Sequence, residues 1–305
     1  MHIYLGEKYL NTIKMKKILS VCLGGLLVGL GLQSCMNGTA STECKNEMII
    51  ASYNLACGGP EHHPSYWEPR KEGVKSVINF YDFDVFGTQE GFKFQLDDLV
   101  ADGEYAYIGG GREDGKDKGE HSAILYKTAR FEVLDHGTFW LSDTPDTPGL
   151  GWDAKCCFRV CSWGKFLDKT CNKEFYVFNS HYDHEGVVAR RESSKLILSR
   201  IREIAGENAT VFFTGDLNAI PTDEPITMIA SDGMFSDSYQ ITKEPPFGTT
   251  NTYNGWNINN PDTYKRIDYI WVTKGVTVEK YGVLNDVHYG RTPSDHYPIM
   301  SKVVY

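Results

Sequence analysis

Seven side chains in this sequence have the types and spacing to hold a hard cation and to hydrolyse an ester beside it. Asn54, Glu90 and Asp295 offer the amide and carboxylate oxygens that a cation such as magnesium takes, commonly one or two carboxylates with water completing the shell. Asp216, Asn218, His181 and His296 can supply a base for water, donors for the negative charge that builds on phosphorus, and an acid near the leaving oxygen. Each also has an ordinary structural use. Asn54 can cap a turn, Glu90 can pair with Lys93, and Asp216 with Asn218 can form an Asx-turn, since polar residues at strand ends are common.

Their placement in the chain follows a pattern. Tyr53-Asn54-Leu55, Thr88-Gln89-Glu90, Asn179-Ser180-His181 and Thr214-Gly215-Asp216-Leu217-Asn218 each set a polar group at the end of an apolar run, and such positions converge at the rim of a sheet. Arg266-Ile267-Asp268-Tyr269-Ile270-Trp271-Val272 reads as a buried strand, and Ser294-Asp295-His296-Tyr297-Pro298 as a tight turn. Asp268 by itself is equally suited to a buried ion pair.

The elements that must position these groups are legible from period and punctuation. Strands are expected over residues 48–54 and 84–89 with a helix over 66–80 between them, then a helix over 94–100. Short β-rich runs follow at 105–108, 122–127, 131–134 and 139–142, and a hairpin at 160–167 and 175–179 around a turn-rich five-residue loop. Ala189, Leu196, Ile197, Ile201 and Ile204 recur at helical spacing with charged residues opposite, a surface helix over 187–205. A strand over 210–214, a short helix over 221–229 and strands over 267–272, 276–283 and 298–304 complete the chain. Strands outnumber helices and the helices fall in two groups, which predicts two packed sheets with helices outside.

Residues 1–35 read as an upstream extension and a lipoprotein signal. Lys14, Lys16 and Lys17 form a basic end, residues 18–32 an apolar stretch too short for a membrane span, and Leu32-Gln33-Ser34-Cys35 a lipobox-like close. Met15 is then the expected start and Cys35 the lipid-bearing residue, with residues 36–46 a polar tether to a domain over 47–305. The whole chain carries a net charge of −9. Residues 1–35 hold four of the 31 Lys and Arg and one of the 40 Asp and Glu, so the remainder has 27 against 39 and a net of −12. That balance weighs against a long polynucleotide gripped through its phosphates. Of eight cysteines, Cys22 and Cys35 belong to the signal, leaving Cys44, Cys57, Cys156, Cys157, Cys161 and Cys171. One or two disulfides or buried thiols are expected near 156–171, with the pairing open, and zinc spacing is missing.

Six motifs in order, Tyr53-Asn54-Leu55, Thr88-Gln89-Glu90, Asn179-Ser180-His181, Thr214-Gly215-Asp216-Leu217-Asn218, Arg266-Ile267-Asp268-Tyr269 and Ser294-Asp295-His296, resemble the endonuclease/exonuclease/phosphatase superfamily over residues 47–305. The resemblance implies a four-layer α/β sandwich of two packed, mainly antiparallel sheets flanked by helices, and metal-dependent phosphoester hydrolysis with Mg2+, or Mn2+ in its place. It implies Glu90 as principal metal ligand, Asn54 beside it and Asp295 as a further ligand. Asp216 would activate water, Asn218 fix it, His181 donate to the phosphate, and His296, held by Asp268, stabilise the scissile group.

Two further positions are expected to touch substrate. Arg159 starts a strand near the proposed rim and can fork onto phosphate, and Trp256 lies in a long Asn-rich loop that can stack on a ring. Packing within the loop or a surface ion pair explains them equally, and Glu120-His121-Ser122 is expected to be structural. The expected activity is a secreted or membrane-tethered phosphodiesterase or phosphomonoesterase, monomeric and lipid-anchored at the cell envelope, whose partner is a phosphorylated small molecule. The alternatives are a deadenylase-like nuclease acting on nucleic acid, a sphingomyelinase-like phospholipase C, and a catalytically silent binding module.

Overall fold

Period-two burial in the strands sorts their side chains into three apolar layers. In the computed structural model, which describes residues 46–259 and 265–305, β1 (Glu47–Asn54) sends Ile50 to one side and Ala51 and Tyr53 to the other. In β2 (Val85–Gln89), Val85 and Phe86 divide in the same way. Phe212 and Phe213 of β8 (Val211–Asp216) part likewise, as do Ile270 and Trp271 of β10 (Asp268–Thr273). Successive Cβ atoms of a strand point to opposite faces, so each strand feeds two cores at once.

Two six-stranded sheets result. The first has the order β11-β12-β1-β2-β4-β3, with β3 (Tyr105–Ile108), β4 (Ile124–Lys127), β11 (Thr277–Val283) and β12 (Ile299–Val304). The second has the order β5-β6-β7-β8-β10-β9, with β5 (Phe131–Trp140), β6 (Val160–Asp168), β7 (Lys173–His181) and β9 (Phe235–Asp237). The pairs β1/β2 and β7/β8 are parallel, and the other pairings in both sheets are antiparallel. The sheets are therefore mixed, with antiparallel pairs in the majority.

Helices cover the outer faces. Val74, Val77 and Ile78 of α1 (Lys71–Tyr81) and Leu96 and Leu99 of α2 (Lys93–Leu99) close the first sheet. Ile197, Leu198 and Ile201 of α3 (Val187–Ile204), with Ile226 and Ile229 of α4 (Glu224–Ser231), close the second. The layers run helix, sheet, sheet, helix. Each fully buried Phe, Leu or Ile is worth about 1.5–3 kcal/mol relative to exposure.

Some elements differ from expectation. The runs at 131–134 and 139–142 are one strand, β5, whose register shifts between Val133 and Asp135; the extra residue lets exposed Asp135 and His136 sit inside a continuous ladder. α1 begins at Lys71 rather than Tyr66 because residues 61–70 wind as turns around the buried Trp67 and Arg70. β9 and the four-residue α5 (Ser238–Ile241) escaped the periodic signal because they are too short to carry one. The signal, the tether up to residue 45 and Cys22, Cys35 and Cys44 lie outside the described residues. Among the described residues no helix is long and apolar enough to cross a membrane.

Between the sheets, near the rim where the motifs end, the packing is polar and close. Gly87 faces Asn179 and Thr214 so closely that a Cβ would collide with both side chains. Gln89 Nε2 donates to Asn179 Oδ1 at 2.7 Å and to Ser52 Oγ at 3.1 Å, and Asn179 Nδ2 donates to the carbonyls of Thr88 and Ala123 at 2.8 Å. This network joins β2 of one sheet to β7 of the other, which sets the separation of Glu90 and His181 one residue and two residues further along.

At the opposite end, Asp168 closes β6. It accepts from Arg130 Nη2 at 2.6 Å, Thr170 Oγ1 at 2.6 Å and Tyr305 Oη at 2.7 Å. Burial works against its carboxylate, yet these bonds hold its pKa well below the ordinary value. Its contribution to stability is thus fully present above about pH 4, the unfolded value, and is lost as pH falls through the lower folded pKa. Asp168→Ala leaves the Arg130 charge and two donors without this acceptor, and is expected to lower the unfolding free energy by about 3–5 kcal/mol at pH 7 in urea titrations. An unchanged midpoint would show that the network contributes nothing net.

Candidate active site

The ends of β1, β2, β7, β8 and β10 deliver the predicted residues to one place. Parallel pairing sets Asn54 against Gln89 and His181 against Asp216. Antiparallel pairing sets Asp268 directly opposite Asp216. Like charges directly opposite on neighbouring strands repel, and here His296 stands between them. Its Nδ1 lies 2.9 Å from Asp268 Oδ2 and its Nε2 3.6 Å from Asp216 Oδ2.

Asp216 is the centre of the cluster. Asn54 Nδ2 donates to Asp216 Oδ2 at 3.0 Å and to Glu90 Oε1 at 3.1 Å, while the Ala56 N–H donates to Asn54 Oδ1 at 2.9 Å. Because the backbone donor requires the amide oxygen on its side, Asn54 bridges the two carboxylates with N–H groups. The Asn218 N–H donates to Asp216 Oδ1 at 3.0 Å, and Cys57 N–H to Glu90 Oε2 at 3.0 Å. Ala56, Glu90 and Asn218 all have positive φ, 53°, 62° and 46°; a left-handed alanine or glutamate is uncommon, and such strain gathers at functional sites.

His181 is polarised in a way its position in the sequence does not reveal. Asn218 Nδ2 lies 3.0 Å from the Tyr182 carbonyl and 3.0 Å from His181 Nε2. The carbonyl accepts only a donor, which places the amide nitrogen there and makes His181 Nε2 an acceptor. The imidazole is then neutral with its proton on Nδ1, and burial followed by the charge of Arg159 holds its pKa well below the ordinary value. Its Nε2 lone pair accepts from Asn218, the opposite polarity at that atom to the phosphate donor expected from sequence.

His296 is the reverse case. Burial disfavours its charge, but Asp268 and Asp216 together with the Asp268 hydrogen bond hold its pKa well above the ordinary value. Asp216 is pushed up to about 7 by burial and by Asp268, with His296 opposing. Burial also raises Asp295, again opposed by His296. The site thus concentrates negative charge that burial destabilises, offset by one imidazolium.

Ligand atoms of Glu90, His181 and Asp216 lie within 4.8 Å of one another, as do those of Asp216, Asp268 and His296. In the first group the carboxylate oxygens of Glu90 and Asp216 fit a hard divalent cation, while the His181 Nε2 lone pair is taken by Asn218. The second is the Asp-His-Asp arrangement already described. Asp295 belongs to neither group, but it lines the same pocket, of about 640 Å³. Its turn is braced from behind: Ser294 Oγ donates to the Asn54 carbonyl at 2.7 Å, Asn254 N–H to the Asp295 carbonyl at 2.7 Å, and Asn254 Nδ2 to the Ser294 carbonyl at 3.0 Å. Buried Arg70 spans the carbonyls of Ala56 at 2.7 Å and Pro293 at 3.1 Å. The Asn-rich loop therefore serves mainly to hold the His296 turn.

Arg159 reaches the pocket, as expected from sequence. It is 7% exposed, lies 2.9 Å from His184 Nδ1 and 3.7 Å from Asp183, and its Nε has no hydrogen-bond partner. Trp256 does not reach it. The backbone N–H of Trp256 donates to Asn254 Oδ1, and the ring turns under the Arg70 guanidinium, 5.7 Å away, to line a separate hollow with Tyr66 and His288. The ring facing the catalytic pocket from that loop is Tyr253, edge-on to His296 at 5.0 Å.

Arg112 has no role in the sequence analysis, and Glu120, expected to be structural, also lines the pocket. Arg112 pairs with Glu120 at 2.7 Å, and both line the pocket beside Arg159. The available signal was Gly109-Gly110-Gly111-Arg112, a glycine run that lets the loop fold back so that Arg112 N–H meets the Glu120 carbonyl at 2.9 Å. Burial raises the Glu120 pKa, with Arg112 opposing. Next to Arg159, Cys156 and Cys157 are joined by a disulfide, and Cys161 is a buried thiol in β6.

Comparison with known proteins agrees with this geometry. A mannosyl-6-phosphatase of Bacteroides thetaiotaomicron is 41% identical, with 85% of this chain and 100% of that one covered and a TM-score of 0.79. An endonuclease/exonuclease/phosphatase family protein of the same species is 39% identical over 85% and 98%, with a TM-score of 0.80. An uncharacterized protein of Acanthamoeba polyphaga mimivirus is 27% identical over 169 residues, and the chain spans 62% of its length, less than two thirds. The model of the Endonuclease/Exonuclease/phosphatase family matches residues 51–296, a span that begins in β1 and ends on His296, and the chain belongs to that family.

Proposed function

We propose that this protein is a divalent-metal-dependent phosphomonoesterase acting on a small phosphorylated compound, with a phosphorylated sugar the favoured class. The observation that carries this reading is the pocket in front of Asp216 and His296. It is lined by side chains of both signs, Glu120, Asp223 and Asp295 against Arg112, Arg159 and Lys265. A polymer track would show a basic stripe, whereas mixed charges facing a hollow of about 640 Å³ suit a compact polar molecule carrying one dianionic group. The mannosyl-6-phosphatase relative supports the same class.

The geometry supports these roles. Glu90 and Asp216 would hold the cation, which when bound supplies positive charge against phosphate and lowers the pKa of water. Asp216 and Asn218 orient the attacking water, and Asp216 is placed to take its proton. The His296 imidazolium faces the negative charge that develops on phosphorus, with Asp268 fixing its ring. Arg159 and Arg112 bind the phosphate oxygens. Outside the described residues, we assign residues 15–35 to a lipoprotein signal and Cys35 to an envelope anchor.

With magnesium or manganese, purified protein is expected to release inorganic phosphate from hexose 6-phosphates. Activity is expected to vanish in excess chelator and to return with added metal, followed by phosphate assay. Salt-sensitive cleavage of RNA or DNA without turnover of any phosphomonoester would replace this reading with the nuclease one.

A further inference from the structure

The disulfide between Cys156 and Cys157 lies at the edge of the catalytic pocket. Cys157 lines the catalytic pocket with Arg159, His184 and Glu120. Cys156 is exposed and Cys157 half-buried, so the bridge is within reach of solvent. A bridge between adjacent residues closes an eight-membered ring around their own peptide bond. It closes no chain loop, so its effect is to shape the local surface.

The segment carrying it is held firmly. Asp153 Oδ1 accepts from the Ala189 N–H at 2.6 Å and Oδ2 from the Val188 N–H at 3.1 Å, satisfying two donors in the first turn of α3 that the helix itself leaves unpaired. Ala154 N–H donates to the Gly151 carbonyl at 2.7 Å, and on the other side Leu141 N–H donates to the Arg159 carbonyl at 2.8 Å. The two sulfurs thus lie between two anchored stretches, beside a pocket with many charged side chains. Divalent sulfur is apolar and polarisable, and a pyranose presents an apolar C–H face as well as hydroxyls.

We propose that the Cys156–Cys157 disulfide is a platform in the wall of the catalytic pocket, on which the ring of a phosphorylated sugar rests while its phosphate meets Arg159 and the Asp216–His296 centre. This rests on the phosphomonoesterase reading above and names what distinguishes a ring-bearing substrate. Reduction removes the platform. A dithiol gives two electrons and two protons, the S–S bond breaks into two thiols, and the dithiol leaves as its own cyclic disulfide. The freed side chains then adopt separate rotamers.

The test compares a hexose 6-phosphate with glycerol phosphate, which has no ring, using oxidised protein, dithiothreitol-reduced protein and the double variant Cys156→Ser, Cys157→Ser. Reduction or the double substitution is expected to raise KM for the hexose ester about tenfold, the effect of uncovering roughly one C–H face, with kcat little changed. KM for glycerol phosphate should stay constant. The double variant should ignore dithiothreitol, which separates this bridge from the other cysteines. In the oxidised protein, unfolded without reductant, Cys156 and Cys157 should resist N-ethylmaleimide and give a peptide lighter by two hydrogens. Labelling of both cysteines there, or one KM for the hexose ester in all three forms, overturns the platform alone. No turnover of either ester overturns the phosphomonoesterase reading and the platform with it.

Discussion

Asp216→Asn is expected to lower kcat by about a thousandfold or more while the protein stays folded. Asp216 is the one side chain that touches every part of the cluster. It accepts from Asn54 and Asn218, faces His296 and His181, and shares a ligand group with Glu90. The amide keeps the shape and removes the charge, the proton acceptor and one hard-oxygen ligand together. Loss of a base and of a ligand both act on the transition state, so kcat and kcat/KM should fall together. Stability should change by only about 1 kcal/mol, because a buried carboxyl raised to about 7 is itself costly near neutral pH, and relief of that charge offsets the disturbed hydrogen bonds. Steady-state kinetics with urea titration at pH 7.5 tests both halves. A kcat within tenfold of the parent would remove Asp216 from the chemistry.

The second large effect is expected at His296. His296→Gln should reduce kcat by about a hundredfold to ten-thousandfold, since the donor to developing charge is lost from a buried site where each such interaction counts heavily. Asp268→Asn should act more gently and in a diagnostic way. It takes away the partner bonded to Nδ1 at 2.9 Å and the main charge that keeps the imidazolium in place against burial. The alkaline limb of the pH–rate profile should therefore move to lower pH. The same pair enters stability with a definite sign. A folded-state pKa raised above the unfolded value near 6.5 gives a contribution that is complete below about pH 6.5 and fades as pH rises through the folded value. The parent should lose more stability than Asp268→Asn over that alkaline interval, measured by urea unfolding at several pH values. An alkaline limb unmoved in Asp268→Asn would assign the titration to another group.

The stability–function tension is concentrated at this rim. Asp216 and Asp268 stand opposite each other on paired strands, and Ala56, Glu90 and Asn218 hold left-handed backbone angles. Far from the rim, Asp168 makes the same kind of buried carboxylate favourable, because Arg130, Thr170 and Tyr305 surround it with donors. The contrast between a satisfied and a crowded carboxylate separates structure from chemistry in this chain.

Much of the architecture is written locally. Phe212-Phe213 and Tyr269-Ile270-Trp271-Val272 are continuous apolar runs whose side chains take opposite faces, which calls for a sheet covered on both faces, and the four-layer arrangement is what the family resemblance implies. Polar residues at the ends of Tyr53-Asn54, Gln89-Glu90, Ser180-His181 and Gly215-Asp216 mark a common rim because a strand carries its last residue to the sheet's edge. What the tertiary structure alone decided is which edges meet and how each group is polarised. Residue types show that Asp216 and Asp268 exist, but only the β8–β10 register puts them face to face across His296. The proton position on His181 depends on a carbonyl contributed by Tyr182 through Asn218. Arg112 enters the pocket through a loop closure, and Trp256 leaves it through a turn with φ of 64°. Local pattern encodes the face a side chain takes, through backbone periodicity. Distances between side chains far apart in sequence, and the electrostatics that depend on them, arise only once the two sheets have packed.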